Sequence, residues 1–176
     1  SILGSLPDSP NACLASKGRA ERTLLDHPWL QRLRQIHQLQ TAWWVYPSAE
    51  HTRFVHSLGT MHVAGRFAQH LYPFLRKAVP DLPSAAFVEE FLRITALVHD
   101  IGHGPFCHFF DDNYLHGFGL SHEKLGQIIV REHLGPLIKK IRRSPSGPFD
   151  RGEELNPDHI AHVILKEKGK DNSKIP

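Results

Sequence analysis

The run Leu97-Val98-His99-Asp100-Ile101-Gly102-His103-Gly104-Pro105-Phe106-Cys107-His108-Phe109-Phe110-Asp111 crowds imidazoles and carboxylates onto the end of an apolar stretch. Upstream, Phe87, Phe91, Ile94 and Val98 recur at i, i+4, i+7 and i+11, which is one buried face of a helix, and Gly102 is a natural stop for it. His99 and Asp100 therefore fall at the inner end of a core helix. A buried carboxylate needs its charge compensated. A divalent cation held by the histidine and the aspartate would do this directly, and an arginine partner beside a hydrogen-bonded histidine would do it too. The dipeptide by itself leaves both open.

Two further stretches bear on the choice. In His51-Thr52-Arg53-Phe54-Val55-His56-Ser57-Leu58-Gly59, Arg53 and His56 lie three residues apart and share one helical face. A guanidinium beside a metal-bound imidazole suits a phosphate ester, because the metal polarises one oxygen while the arginine grips others. Read separately, the same residues are an ordinary surface arginine and a core histidine. In Ser121-His122-Glu123 the serine is a helix N-cap and the other two occupy the first turn, where Glu123 suits the helix dipole and can hold His122 oriented and protonated. Gly102 and Gly104 let the backbone turn tightly enough for His103 and His108 to face the cavity that His99 and Asp100 enter.

Taken in order, Gln31-Arg32-Leu33-Arg34, Arg53-Phe-Val-His56-Ser-Leu-Gly, His99-Asp100-Ile-Gly-His103-Gly-Pro-Phe-Cys-His108 with Asp111, and Ser121-His122-Glu123 resemble the HD-domain metal-dependent phosphohydrolases, in particular the branch containing the deoxynucleoside triphosphate triphosphohydrolases. The resemblance covers roughly residues 25–134. It implies an all-α, compact helical HD domain with almost no sheet, and a divalent ion on His56, His99 and Asp100. It further implies substrate contacts from Arg53, Gln38 and Leu39, and a guanine-nucleotide regulatory site at Asp26, Gln31 and Arg34. His122 with Glu123 is the expected proton donor, and His103, His108 and Asp111 complete the catalytic set. Two segments depart from the family pattern. Where an Asp-Pro-x-His-Gly segment is expected, the chain reads Ser16-Lys-Gly-Arg-Ala-Glu-Arg22, and the later aspartate that supplies a fourth ligand has no counterpart. Asp150, Asp158 and Asp171 lie in loops, a helix start or the tail, so none is expected to complete the site, and the chain is expected to be part of a longer protein.

The elements that must position these groups can be read from capping and periodicity. The chain has 176 residues, one domain's length. Residues 1–20 read as an irregular lead-in, 21–168 as the HD domain without its C-terminal part, and 169–176 as a tail. Asp26 is an N-cap candidate with Pro28 in the first turn of a helix reaching about Gln38. Ala42-Trp43-Trp44-Val45-Tyr46-Pro47 reads as extended, with its tryptophans packing on the core or stacking on a base. A long helix runs from about His51 to Pro73, and Ser84 caps the helix that ends at His99-Asp100. Pro105 suits the first position of a short helix, and Ser121 caps another that ends at Gly135-Pro136. A helical pattern resumes from Pro136 to Arg143, and Asn156-Pro157 opens the last helix, which reaches about Lys168.

Composition sets the remaining bounds. Fourteen histidines point to a site, since imidazole is both a metal ligand and a proton carrier near neutrality. A net charge of +3 without any long basic run suits a nucleotide or another phosphorylated small molecule, and nucleic acid is compatible but not indicated. Cys13 and Cys107 alone suggest no disulfide framework, and Cys107 reads as a small buried hydrophobe. No apolar run approaches the length of a membrane span, so a cytoplasmic protein without membrane contact is expected, and a homo-oligomer is compatible. The mixed nitrogen and oxygen ligand set suits Mn, Fe, Ni, Zn or Mg without choosing among them. The expected reaction is hydrolysis of a deoxynucleoside triphosphate to nucleoside and triphosphate. The alternatives are an HD phosphohydrolase acting on another phosphate ester, and a catalytically inactive nucleotide- or nucleic-acid-binding module.

Overall fold

The computed structural model describes residues 19–165, so the lead-in up to residue 18 and the tail, Asp171 included, lie outside the described residues. Helix α1 spans Arg19–Leu25, α2 Pro28–Gln31, α3 Arg53–Ala78, α4 Ala85–Val98, α5 His108–Phe110, α6 His122–Ile128, α7 Gly135–Ile138 and α8 Pro157–Leu165. The strands β1 (Arg143–Ser144) and β2 (Gly147–Pro148) form a two-residue hairpin, with Ser144 opposite Gly147. The fold is all-α, as expected.

Antiparallel packing of α3 on α4 forms the frame of the domain. Ile94, Leu97, Val98 and Ile101 are fully buried. Burying each such side chain contributes on the order of 1.5–3 kcal/mol, which anchors the C-terminal end of α4 in the core and fixes where His99 and Asp100 emerge. The buried side of α3 is Phe54, Ser57, Met61, Gly65 and Ala68. Its small residues admit α4 closely: a Cβ on Gly65 would lie 3.2 Å from the Arg93 side chain. Val55, Val63, Phe67 and Leu71, which belong to the same helical pattern in the sequence, are instead exposed.

Capping accounts for several boundaries. Thr52 Oγ1 accepts from Val55 N at the start of α3, and Ser84 Oγ accepts from Phe87 N at the start of α4. Ser121 Oγ accepts from Lys124 N at the start of α6. Asn156 Oδ1 accepts from Asp158 N and opens α8 as expected.

Other boundaries differ from the sequence reading. The N-cap of α2 is His27, whose Nδ1 accepts from Trp29 N, while Asp26 is exposed in the preceding turn. That helix gives way to a 3₁₀ turn at Arg32–Gln35 and ends at Ile36, well short of Gln38. The chain is instead captured by α3, since Gln38 N donates to His51 O and Arg53 N to Ile36 O. The tryptophan segment forms 3₁₀ turns at Ala42–Trp44 and Pro47–Ala49 rather than an extended strand, and Trp43 stacks on His37. Pro73 does not end α3. Its missing N–H deprives only the carbonyl of Gln69, an exposed residue on a face that water reaches. No helix opens at Pro105: α5 starts at His108, after Phe106 and Cys107 take positive φ values of 59° and 53°. The helical pattern after Pro136 closes at Ile138, because residues 143–148 form the hairpin.

Candidate metal centre

α3 and α4 bring His56, His99 and Asp100 to one point. His56 Nε2 and His99 Nε2 are 3.3 Å apart, His99 Nε2 is 3.3 Å from Asp100 Oδ1, and His56 Nε2 is 3.7 Å from Asp100 Oδ2. Ligand atoms about 2.0–2.1 Å from a tetrahedral ion sit roughly 3.3–3.4 Å from one another, so the three donors are spaced as ligands of one cation. The second side of His99 supports the same fit. Its Nδ1 is 2.7 Å from the Ala96 carbonyl, which can only accept, so Nδ1 carries the proton and Nε2 presents a lone pair to His56. Two ring nitrogens facing each other at that distance are best satisfied by a positive centre between them. The side chains of His56 and His99 are about one-third exposed, leaving a side open to solvent. An apolar groove of about 540 Å³ lined by Gly59, Thr60, Val63, Ala64, Phe67 and Leu92 opens beside His56.

The electrostatics suit ligation. Burial by itself raises the Asp100 carboxyl, but His99, Arg53, His103 and His56 surround it and hold it below its ordinary value. Burial, reinforced by His99, Arg53 and His51, lowers His56 despite the opposing pull of Asp100, which keeps the imidazole neutral. Arg53 is itself buried: its guanidinium donates to Asp100 Oδ2, and its Nε donates to the Cys107 sulfur at 3.1 Å. The arginine is thus tied to the carboxylate as well as lying beside the metal donors.

A second group forms across Asp100. His103 Nε2 is 3.7 Å from Asp100 Oδ1, and its Nδ1 side faces Asp111. His108 Nδ1 and His122 Nδ1 face the same Asp111 oxygen, His122 in direct contact and His108 at 3.7 Å. His103 and His122 stack with ring centroids 3.8 Å apart, and His122 Nε2 is 3.3 Å from Glu123 Oε1. Burial first, then Arg53 and His122, push the His103 imidazole down to about 3. Close packing makes this possible, since a Cβ on Gly102 would come within 1.9 Å of the His122 carbonyl. Only glycine lets the loop after α4 lie on the start of α6.

The other expected residues are placed as follows. Gln38 has a buried Oε1 with no partner, and its carbonyl lies beside the Cys107 sulfur. Leu39 is half exposed. Gln31 donates to Leu25 O and accepts from Arg34, which also stacks on Phe54, and Asp26 lies next to that linkage. Asp158 is bonded to Arg131 at 2.8 Å and Asp150 lies in the loop before Glu153, so neither joins His56, His99 and Asp100.

Two contributions went unread in the sequence. Arg32 donates to the carbonyls of Ile101 and His103, bracing the loop between the two clusters. Its signal was a cation between the apolar positions Leu30 and Leu33. Cys107 is fully buried, as expected, but it also receives Arg53, which no spacing rule conveys.

Two histidines and an aspartate that could hold a metal ion thus meet where the start of α3 adjoins the end of α4, next to a histidine-rich turn. Residues 53–172 match the HD domain family, and the chain belongs to it. It is 37% identical over 115 residues to the deoxynucleoside triphosphate triphosphohydrolase SAMHD1 of Bos taurus, covering 63% of this chain and 19% of that protein. It is 42% identical over 148 residues to the uncharacterized protein MJ1154 of Methanocaldococcus jannaschii, covering 82% of this chain and 26% of that one. Among solved structures, a hypothetical protein from Aquifex aeolicus aligns with a TM-score of 0.61 and 28% identity over 87% of this chain and 35% of that chain. The chain thus spans a fifth to a quarter of the length of these two relatives. No helix among the described residues is long and apolar enough to cross a membrane.

Proposed function

We propose that this chain is the catalytic core of a metal-dependent phosphohydrolase acting on nucleotides, with deoxynucleoside triphosphates cut to nucleoside and triphosphate as the leading reaction. The observation that carries the reading is the meeting of two unlike clusters at Asp100: three cation donors on one side, and on the other three imidazoles and a carboxylate suited to holding and moving protons. SAMHD1, to which the chain is 37% identical over 115 residues, is by its name a triphosphohydrolase of such substrates.

A divalent cation on His56, His99 and Asp100 would supply Lewis acidity to the phosphate and to the attacking water. Arg53 balances Asp100 and turns its remaining donors toward phosphate oxygens. His122 is the proton donor to the leaving oxygen, its Nδ1 held by Asp111 and its Nε2 side facing Glu123. His103 and His108 flank it and contact phosphate. Gln38, with its unpartnered oxygen, and Leu39 receive the nucleoside. Gln31, bonded to Leu25 O and to Arg34, serves with the neighbouring Asp26 as a regulatory nucleotide contact. A fourth protein ligand would come from outside the described residues, or water would take its place.

Product analysis over a panel of deoxynucleotides, ribonucleotides and phosphomonoesters tests this. The expected products are nucleoside and inorganic triphosphate. Release of orthophosphate or pyrophosphate instead would assign another phosphohydrolase activity. Stoichiometric nucleotide binding without turnover, whichever metal is supplied, would assign a binding module.

A further inference from the structure

Arg32, at the end of α2, is tied to the loop between the two clusters without an acid to balance it. One terminal nitrogen donates to the Ile101 carbonyl and the other to the His103 carbonyl at 2.8 Å, while the guanidinium carbon lies 5.2 Å from the centre of the Trp29 ring. Its Nε is buried without a partner. Burial lowers Arg32, whereas Arg93, where Glu90 and Glu21 outweigh burial, is raised. Desolvating a charge without a counterion is costly, and a plain tie between α2 and this loop could be made by a neutral donor. The guanidinium adds two donors at a fixed angle in one plane, which holds two carbonyls in a set relation.

Those two carbonyls flank Gly102, which lies so close to the His122 carbonyl and the Gly126 amide that no Cβ fits. The next residue, His103, lays its ring on the His122 ring, with centroids 3.8 Å apart and planes 14° from parallel. The turn 101–103 is therefore gripped by Arg32 and pressed against the first turn of α6. His122 meets it twice, through its backbone at Gly102 and through its ring at His103.

We infer that Arg32 is a positioning residue for His122: its two bonds hold the turn so that Gly102 seats on the His122 backbone and the His103 ring on its imidazole, which aims the proton donor at the leaving oxygen. The inference rests on the proposed function for the role of His122, while the seating itself stands on the contacts alone. Arg32 acts through the turn and not on the substrate, so its loss should slow turnover without weakening binding. Misplacing a reacting group by about 1 Å costs on the order of 100-fold.

Arg32→Met removes both bonds, and Arg32→Lys keeps the charge but not the fork. In the full chain, the ring-proton NMR signals of His122, assigned with His122→Ala, report the stack through the ring current of His103. Metal content, kcat and KM are read on the same preparations. Both variants should keep KM and the ion on His56, His99 and Asp100, while the His122 signals move downfield and kcat falls, by about 100-fold in Arg32→Met and by less in Arg32→Lys. If Arg32→Met does not fold, Arg32→Lys decides by the same readouts. Unmoved His122 signals would overturn the inference, and so would moved signals with an unchanged kcat, a raised KM with an unchanged kcat, or loss of the ion. A parent chain without turnover would remove the proposed function instead, and the His122 signals would then decide the seating, moved in its favour and unmoved against it.

Discussion

Two buried arginines lie along the α3–α4 contact, and their surroundings part them. Arg93 donates to Glu21 at 2.5 Å and to Glu90 at 3.0 Å, with Glu89 nearby bonded to Gln69 and Ser144. Arg53 donates to Asp100, whose carboxylate also has His56, His99 and His103 within 3.7 Å. In the first cluster carboxylates outnumber the cation. Burial first, then Glu21, raise Glu90 to about 8, so the surplus charge is relieved by a proton. In the second, burial is outweighed and Asp100 is held in its charged form. Burial of an ion pair is therefore not what marks a site. The mark is a carboxylate kept ionised beside lone pairs that solvent can reach, and of these two clusters the one at Asp100 has it.

The sharpest way to break this comparison is to remove one partner from each cluster. Asp100→Ala and His99→Ala should abolish activity together with the ion on His56, His99 and Asp100, read by metal content and nucleotide hydrolysis on the same preparation. Next in size, His122→Ala should lower turnover by about 100 to 10,000-fold, the usual worth of a general acid, with the metal on His56, His99 and Asp100 retained. A much smaller loss would move the role to His103 or His108. On the other side of the comparison, Arg93→Ala strands buried carboxylates and should cost roughly 3–5 kcal/mol in a urea unfolding experiment.

A finer distinction comes from pH. Glu90 is raised when folded, so its contribution to stability is complete below its unfolded value near 4.5 and is lost as pH climbs toward about 8. Asp100 is lowered when folded, so its contribution is present above its unfolded value near 3.8 and is lost as pH falls through the folded one. Unfolding midpoints measured across this range should decline less toward alkaline pH in Glu90→Gln than in the parent chain. Equal slopes would show that Glu90 is not the group that titrates. The smallest effect is expected from Arg53→Ala, which should keep its metal but raise KM for nucleotide. Unchanged KM would leave the arginine as a partner of Asp100 alone.

The parts of this molecule that repeat in sequence were legible there. The apolar period through Phe87, Phe91, Ile94 and Val98 leads to a core helix, although only Ile94 and Val98 are fully buried, and the Ser84 and Ser121 caps stand where side-chain chemistry puts them. The candidate ligands His56, His99 and Asp100 do converge. Contacts between distant segments were not legible. Nothing local announces that Gly102 must lie on the carbonyl of His122, or that Cys107 receives Arg53. The α2 boundary was misplaced because propensity favours continuing past Gln35, whereas pairing of Gln38 with His51 draws the chain away. Buried charge was equally hidden: α1, α3 and β1 close over Glu89, Glu90 and Arg93, and nothing local announces it.

The most direct test of the central claim is elemental analysis of the purified, extensively dialysed chain beside His99→Ala. At least one equivalent of a divalent ion per chain is expected in the parent protein, with the content falling by one equivalent in the variant. A parent protein without bound metal, or a variant with the same content, would contradict the assignment of His56, His99 and Asp100 as a cation site.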